Sequence, residues 1–412
     1  MRFLYNFSIH VLGFAMRILS LFNPKAKEWV AGRKNLLNKL PDFNNKEVIW
    51  FHCASLGEFD QGLPLMEIIK QHQPEVFLLV TFFSPSGMRH HHKRKHQADF
   101  VMYLPLDTPS NAKKFIGHFQ PSQAFFVKYE FWSNYIITAK QYKTSLYNIS
   151  GIFREDHRFF KWYGSFFRRT LNQFDWFFVQ NQQSKDLLES IQISQVTVTG
   201  DSRFDKVIDN KKNASSDAVI EKFCMGKKPI IIGSSWPEDE KHIIQTVNNS
   251  DKKFIIAPHN IDESHLKGIT SKLTANFIRY TSASDEKKLE QSRVLILDTI
   301  GQLSNAYSYG YIAYIGGGFS GALHNILEPA VFGLPVIFGP KHKRFPEGQA
   351  FIDHGFGFSI HSSKDIDSTL ELIEKNYDAI QIKELNYIQE NAGASKQIYT
   401  QITSNSTPGT SI

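Results

Sequence analysis

Residues 311–340 read YIAYIGGGFSGALHNILEPAVFGLPVIFGP. The order of residue types predicts a buried strand over 311–315, a glycine loop, a short helix opening near Asn325, and a second buried strand over 335–338. Three consecutive glycines, Gly316, Gly317 and Gly318, let the backbone turn sharply and pass close to a ligand that a Cβ would hold off. A helix starting just beyond them aims unpaired N–H groups and the positive end of its dipole at the loop, which suits a phosphate. Glu328, in the first turn, is placed to hold ribose hydroxyls. A phosphate-bearing nucleotide is the natural guest. The competing reading is a tight β–α turn whose glycines serve packing alone.

The same alternation extends in both directions. Short apolar runs rich in β-branched and aromatic residues lie at 47–53 (EVIWFHC), 76–82 (VFLLVTF), 123–127, 145–149, 176–180 and 196–199, with helical stretches such as 61–71 and 111–118 between them. Beyond the polar segment 209–218 (DNKKNASSDA), which reads as a linker, the pattern restarts at 229–232, 253–257, 277–280 and 294–297, ahead of the two strands above. Strands alternating with crossover helices predict parallel sheets. At 412 residues, two domains are expected rather than one. The fold class is therefore α/β: two Rossmann-like halves with a ligand cleft between them, the GT-B architecture. The expected divisions are an N-terminal hydrophobic helix over 1–24, a first Rossmann-like domain over 25–208, a second over 209–390, and a C-terminal helix end with a flexible tail over 391–412. Residues 403–412 (TSNSTPGTSI) have the composition of a disordered end. In open sheets of this kind, ligands bind beyond the carboxyl ends of the strands.

A hydrophobic content of 42% excludes general disorder, and a net charge of +7 favours anionic partners. Nucleic acid is excluded by the lack of an aromatic-interleaved RNA motif or a recognition-helix pattern. Cys53 and Cys224 lie far apart without CxxC spacing, so neither a disulfide framework nor a zinc site is expected, and a reducing cytoplasm fits. At the N-terminus, Leu4, Phe7, Val11, Phe14, Ile18 and Leu21 recur at helical steps on one face, widened by Ile9, Leu12, Ala15, Met16 and Leu19. Arg17 inside this run and the missing cleavage site argue against a signal peptide. The stretch could span a bilayer, but an interfacial helix reads at least as well. Membrane attachment is expected, with docking on the protein's own core as the other reading.

Several polar residues sit just past predicted strands. Glu58 follows the first strand through Ser55 and Gly57 and opens a helix, a place for a general base facing a cleft; the plainer reading is an acid favoured at a helix N-terminus. The turn Ser84-Pro-Ser86-Gly87 follows the second strand and leads into RHHHKRKH at 89–96, a basic loop suited to anionic headgroups or simply solvated. No metal is expected there, since acidic co-ligands at ligand spacing are missing. Glu130 and Arg203 lie beyond two further strands, and an arginine so placed can clamp a phosphate or carboxylate. Ser234, Ser235, Pro258, His259 and the turn 298–302 occupy matching strand ends in the second half.

Taken in order, Ser55-Leu-Gly-Glu58, Ser84-Pro-Ser-Gly87, Glu130-Phe-Trp, the run 196–205 (VTVTGDSRFD), Asp298-Thr-Ile-Gly, Gly316-Gly-Gly and His324-Asn-Ile-Leu-Glu328 resemble the 3-deoxy-D-manno-octulosonic acid (Kdo) transferases. The resemblance runs from the N-terminal helix to about residue 390. It implies a GT-B glycosyltransferase that uses neither metal nor cofactor. Such an enzyme moves Kdo from CMP-Kdo to the lipid A precursor, of the lipid IVA type, with inversion, in lipopolysaccharide synthesis at the cytoplasmic face of the cell inner membrane. It further implies Glu58 as proton acceptor and Glu130 and Arg203 as transition-state stabilisers. Pro258 and His259, then Ile300, Gly301 and Gln302, and finally Asn325, Ile326, Leu327 and Glu328 match its CMP-binding segments. Ser55, Gly57, Ser84, Ser86, Gly87, Ser234, Ser235, Gly317 and Gly318 fall on the accompanying donor and acceptor loops. The chain departs from the family's usual arginine at His259, histidine at Trp236, and glutamate at Gln302. Other GT-B proteins acting on UDP-sugars, and a silent membrane-peripheral scaffold, are the alternatives.

Overall fold

A computed structural model of the chain describes residues 1–406. The chain divides into two compact units, Met1–Lys206 together with the segment from Ala392 onward, and Val207–Asn391. The first unit holds strands β1 (Val48–Cys53), β2 (Phe77–Phe82), β3 (Phe100–Tyr103), β4 (Gln123–Val127), β5 (Ser145–Gly151), β6 (Trp176–Val179) and β7 (Val196–Val198). The second holds β8 (Ile230–Ser235), β9 (Phe254–Pro258), β10 (Phe277–Arg279), β11 (Val294–Ile296), β12 (Ile312–Ile315), β13 (Val336–Phe338) and β14 (Gly357–Ser359). Every pairing is parallel, in the orders β3-β2-β1-β4-β5-β6-β7 and β10-β11-β9-β8-β12-β13-β14.

The strands are apolar throughout because helices cover both faces of each sheet. In the first unit the alternation along β1 sorts Trp50 to one core, with Leu79, Phe126, Phe115 and Tyr135, and Ile49 and Phe51 to the other, with Leu78, Phe125, Phe59 and Met66. Ile398 and Ile402, 1% and 3% exposed, complete the second core from helix Ala394–Ser406. The C-terminal segment expected to fray is thus helical through Ser406, because its few apolar residues close a core opened far earlier in the chain. The remainder of the expected tail, 407–412, lies outside the described residues. The segment 209–218 read as a linker is helical through Lys212, within helix Arg203–Lys212. Residues 213–217, between that helix and helix Ala218–Cys224, are non-helical, so the linker reading holds for only part of the segment. Strands β3 and β14, at sheet edges, escaped the sequence reading because FVMY follows directly on a polar loop and GFS is three residues with a glycine.

Helix Arg2–Leu19 buries Ile9 and Gly13. A Cβ on Gly13 would stand 2.6 Å from the Leu106 side chain, so glycine permits close docking at that point. The Tyr5 hydroxyl donates to Asp107 at 2.5 Å, and Asp107 also accepts from the backbone N–H groups of Asn134 and Tyr135. Phe3, Leu4, Phe7, Val11, Phe14 and Ile18 remain exposed. No helix among the described residues is long and apolar enough to cross a membrane.

Candidate active site

Each sheet has one place where the chain's direction of travel reverses. In the first unit the chain runs from β1 outward to β2 and β3, and from β4 outward to β5, β6 and β7. The crevice at the carboxyl ends of β1 and β4 is therefore the topological switch point, where such sheets take ligands. Glu58 follows β1 and Glu130 follows β4.

Glu58 lies in the first turn of helix Leu56–His72, and its carboxylate accepts the backbone N–H of Ala54. Burial is the first cause, and the nearby charge of Glu130 the second, that push its carboxyl up to about 7; the Ala54 N–H and Lys128 act the other way. Glu58 is an acid in the first turn of its helix, the plainer sequence reading, and its raised proton affinity suits a base at neutral pH. Beside it, the space where Gly57 would carry a Cβ is open.

Glu130 is held by Trp132, which ends the Glu130-Phe-Trp run, and by His52, which the sequence reading did not single out. Its Oε2 accepts the Trp132 indole N–H at 2.8 Å and stands 3.3 Å from His52 Nε2. His52 is fully buried in β1 and meets the Thr81 hydroxyl through Nδ1 at 2.8 Å, while the Trp50 indole N–H donates to the same hydroxyl. With Glu130 ionised, one proton assignment satisfies the whole chain. Trp50 donates to Thr81, Thr81 to His52 Nδ1, and His52 Nε2–H to Glu130. A histidine inside an otherwise apolar strand, six residues before Glu58, was the available signal.

Arg203 opens helix Arg203–Lys212 and pairs with Asp201 through Nε and Nη2, both at 2.7 Å. The Gln61 amide, one turn along the Glu58 helix, donates to Asp201 at 3.0 Å, and the Ser202 hydroxyl donates to the Gln61 carbonyl at 2.7 Å. Asp201 thereby ties Arg203 to the helix that carries Glu58. Ser84 caps helix Pro85–His90 by accepting the Ser86 N–H, and Gly87 lets that helix sit on the Phe82 ring. In the basic loop, Arg89 is paired with Glu28 and Arg94 with Asp60, so part of its charge is answered within the protein.

The second unit has its switch point between β8 and β12. The segments singled out in the sequence fall at the carboxyl ends of four neighbouring strands. Ile300, Gly301 and Gln302 follow β11, Pro258 ends β9 and leads to His259, Ser234 and Ser235 end β8, and the glycine loop follows β12. Ile300 is 69% exposed, and Gly301 at φ +111 has open space on its Cβ side. His259 stacks on Trp236 with ring centroids 4.2 Å apart and planes at 17°. The Trp236 indole N–H donates to His324 Nε2 at 3.0 Å, which places the His324 proton on Nδ1. Burial is the main cause that pulls His324 down to about 4, so its ring is neutral at physiological pH. Two of the three family departures noted in the sequence are therefore one unit, a stacked Trp236–His259 pair. Gln302 meets the Thr299 hydroxyl at 2.7 Å.

The glycine loop is built differently from the expectation. A Cβ on Gly316, Gly317 or Gly318 would come within 2.4 Å of neighbouring backbone atoms, namely Ser234 O, Ala322 O and Gly339 N. The glycines are required by backbone packing, the competing reading of the sequence. The Gly317 N–H donates to buried Asp239 at 2.8 Å, so a carboxylate of the protein takes that amide of the loop. The helix expected to open near Asn325 is a single turn, Leu327–Ala330, whose dipole contributes little. Glu328 sits in that turn, accepting from Ser304 at 3.2 Å and from the Asn325 amide at 3.3 Å; Ile326 and Leu327 are buried beneath it.

Two seven-stranded, doubly wound parallel sheets with polar groups at their switch points define a GT-B protein. The solved structure of UDP-GlcNAc 2-epimerase from Neisseria meningitidis has this fold, with a TM-score of 0.61, 16% identity, and coverage of 87% of this chain and 100% of that one. A glycosyltransferase from Rickettsia africae matches with a TM-score of 0.50 and 15% identity over 88% of this chain and 100% of that one. Residues 30–206 match the model of the 3-deoxy-D-manno-octulosonic-acid transferase (kdotransferase) family. The chain is 27% identical over 361 residues to the 3-deoxy-D-manno-octulosonic acid transferase of Rickettsia bellii, covering 85% of this chain and 84% of the relative. The corresponding transferase of Aquifex aeolicus is 26% identical over 361 residues, covering 87% and 93%. These matches support the Kdo transferase family, which the motif series resembles.

Proposed function

We propose that the chain transfers Kdo from CMP-Kdo to a hydroxyl of the lipid A precursor, of the lipid IVA type, in lipopolysaccharide synthesis. The observation that carries the reading is Glu58: a carboxyl at the β1/β4 switch point, pushed up to about 7 by burial and by Glu130. In the reaction, the Glu58 carboxylate takes the proton of the acceptor hydroxyl as that oxygen bonds to the anomeric carbon of Kdo. The bond from that carbon to the phosphate oxygen breaks, and CMP leaves with the electron pair. A single displacement inverts the anomeric centre. Glu130 raises the basicity of Glu58, and Arg203, held by Asp201, stabilises charge on the phosphate as it departs.

CMP is held by the second unit, at the ends of β11, β9, β8 and β12. One phosphate carries less charge than a diphosphate, so the Arg203 guanidinium suffices and no metal or cofactor is needed. The acceptor's acyl chains stay in the bilayer. Helix Arg2–Leu19, with Phe3, Leu4, Phe7, Val11, Phe14 and Ile18 exposed, lies in anionic lipid at the cytoplasmic face of the inner membrane. Mass spectrometry of lipid A precursor incubated with CMP-Kdo and the pure protein tests the reading. A mass increase equal to one or more Kdo units supports it. No increase, together with thermal stabilisation by UDP but not by CMP, would replace it with a UDP-sugar enzyme.

A further inference from the structure

Trp162 is 90% exposed and Tyr163 beside it 49% exposed, on a surface loop of the first unit. An indole so fully in water forgoes the burial that usually stabilises it, which marks the position as one that meets something else. The loop is built to display these rings. The Arg168 guanidinium donates to the carbonyls of Phe159 and Lys161 at 2.9 and 3.0 Å, and the Gly164 N–H donates to Lys161 at 2.9 Å. A Cβ on Gly164 would come within 2.2 Å of the Arg158 carbonyl, so the turn closes only around glycine. Below it, Phe159 and Phe166 are buried, while Trp162 and Tyr163 face each other edge-on at 5.6 Å.

Two further features say what covers these rings. First, the loop adjoins helix Arg2–Leu19: Phe166, two residues beyond Gly164, packs on Tyr5 with centroids 5.4 Å apart. Phe3, Leu4 and Phe7 of that helix are 80%, 60% and 60% exposed. Second, the run 158–169 (RFFKWYGSFFRR) carries four cations and no carboxylate. Tryptophan and tyrosine flanked by arginine and lysine is the composition favoured at a membrane–water boundary, where the rings sit at headgroup level and the cations meet lipid phosphates.

We infer that the Trp162–Tyr163 loop is a second membrane contact, which inserts its two rings among anionic lipid headgroups beside helix Arg2–Leu19. This rests on the membrane reading of that helix. Two neighbouring contacts fix the protein's tilt on the bilayer, which a single helix free to roll does not.

The test uses the full chain with vesicles of phosphatidylglycerol and phosphatidylethanolamine, and with vesicles of phosphatidylcholine alone. Trp29 and Trp50 are buried and Trp132, Trp176 and Trp236 half-buried, so the part of the emission that responds to vesicles and is lost in Trp162→Phe reports on the exposed Trp162. With anionic vesicles, emission shifts to the blue and is quenched by lipids brominated near the headgroup, and Trp162→Phe removes most of both signals. Trp162→Ala with Tyr163→Ala weakens partitioning about tenfold, with thermal stability retained because both rings lie outside the core. Binding of the wild-type chain with no shift and no weakening in the double variant sinks the loop contact and leaves the helix reading standing. Equal binding to phosphatidylcholine vesicles removes the role given to the cations and overturns the anionic-lipid assignment. No binding of the wild-type chain to any vesicle brings down the membrane reading and the loop contact together.

Discussion

Glu58 and Glu130 stand beyond the carboxyl ends of adjacent parallel strands, β1 and β4, and the charge of one raises the proton affinity of the other. Two acids approaching a shared crevice cannot both ionise without cost. Glu130 is anchored by Trp132 and faces His52, and Glu58 is left poised near neutrality. This division of labour frames the first predictions.

If Glu58 is the base, transfer activity rises with pH through about 7 and levels off above it, because only the deprotonated carboxylate accepts the proton. Glu58→Gln loses roughly 100- to 10,000-fold in kcat while CMP still binds. A pH–rate profile with pure enzyme and CMP-Kdo checks both. Unchanged turnover in the variant removes Glu58 from the mechanism.

The same carboxyl has a consequence for stability. Its folded value lies above the unfolded one, so the folded state favours the protonated form. That contribution is intact below the ordinary carboxylate range and is lost as pH rises toward about 7. Glu58→Gln, which never carries the charge, is therefore expected to be more stable than the native chain at pH 8 by about 2 kcal/mol. The gap closes toward pH 4. Denaturant unfolding at the two pH values measures it.

His52→Ala removes the link between Thr81 and Glu130 in a fully buried position. Stranding the Thr81 hydroxyl and opening a cavity is expected to cost roughly 2–4 kcal/mol. His52→Asn keeps part of the bonding and loses less stability. Both variants lower kcat more than they raise the KM for CMP-Kdo, since the disturbance reaches Glu130 and not the second unit. Thermal unfolding and steady-state kinetics together read this out; a pure KM effect contradicts the relay.

The half-buried Trp236 and the exposed His259 form a stacked pair at the carboxyl ends of the second unit's strands, where CMP binding is proposed. Trp236→Ala is expected to weaken CMP binding about tenfold, on the scale of one lost aromatic stacking partner for a base. Isothermal titration with CMP tests this. Affinity equal to that of the native chain would assign the stack to packing alone.

Gly317→Ala sets a Cβ 2.1 Å from the Ala322 carbonyl at a φ of +86. Strain and clash together predict a loss of about 3 kcal/mol or more, seen as a lower unfolding midpoint. A Gly57→Ala control, with open space at its Cβ, is expected to change stability by less than about 1 kcal/mol.

Most of the two parallel sheets was legible in the chain because buried parallel strands are continuous apolar runs: β4 matches its sequence-read boundaries and β1 differs by one residue. So was the place of Glu58, Glu130 and Arg203 just past strands β1, β4 and β7, since the apolar runs mark where those strands end. What those residues meet was not legible. Asp201 lies 140 positions from Gln61, and His52 lies 78 from Glu130. No local pattern encodes contacts that arise only when separate strands are laid side by side. The glycine loop marks the same boundary: its sequence announced a tight turn, but only packing against Ser234, Ala322 and Gly339 decided what the missing side chains make room for. Apolar periodicity acts over a few residues and so is written in the chain. The proton affinity of Glu58 and the neutrality of His324 come from burial and charges brought close by folding, and those the tertiary structure alone decides.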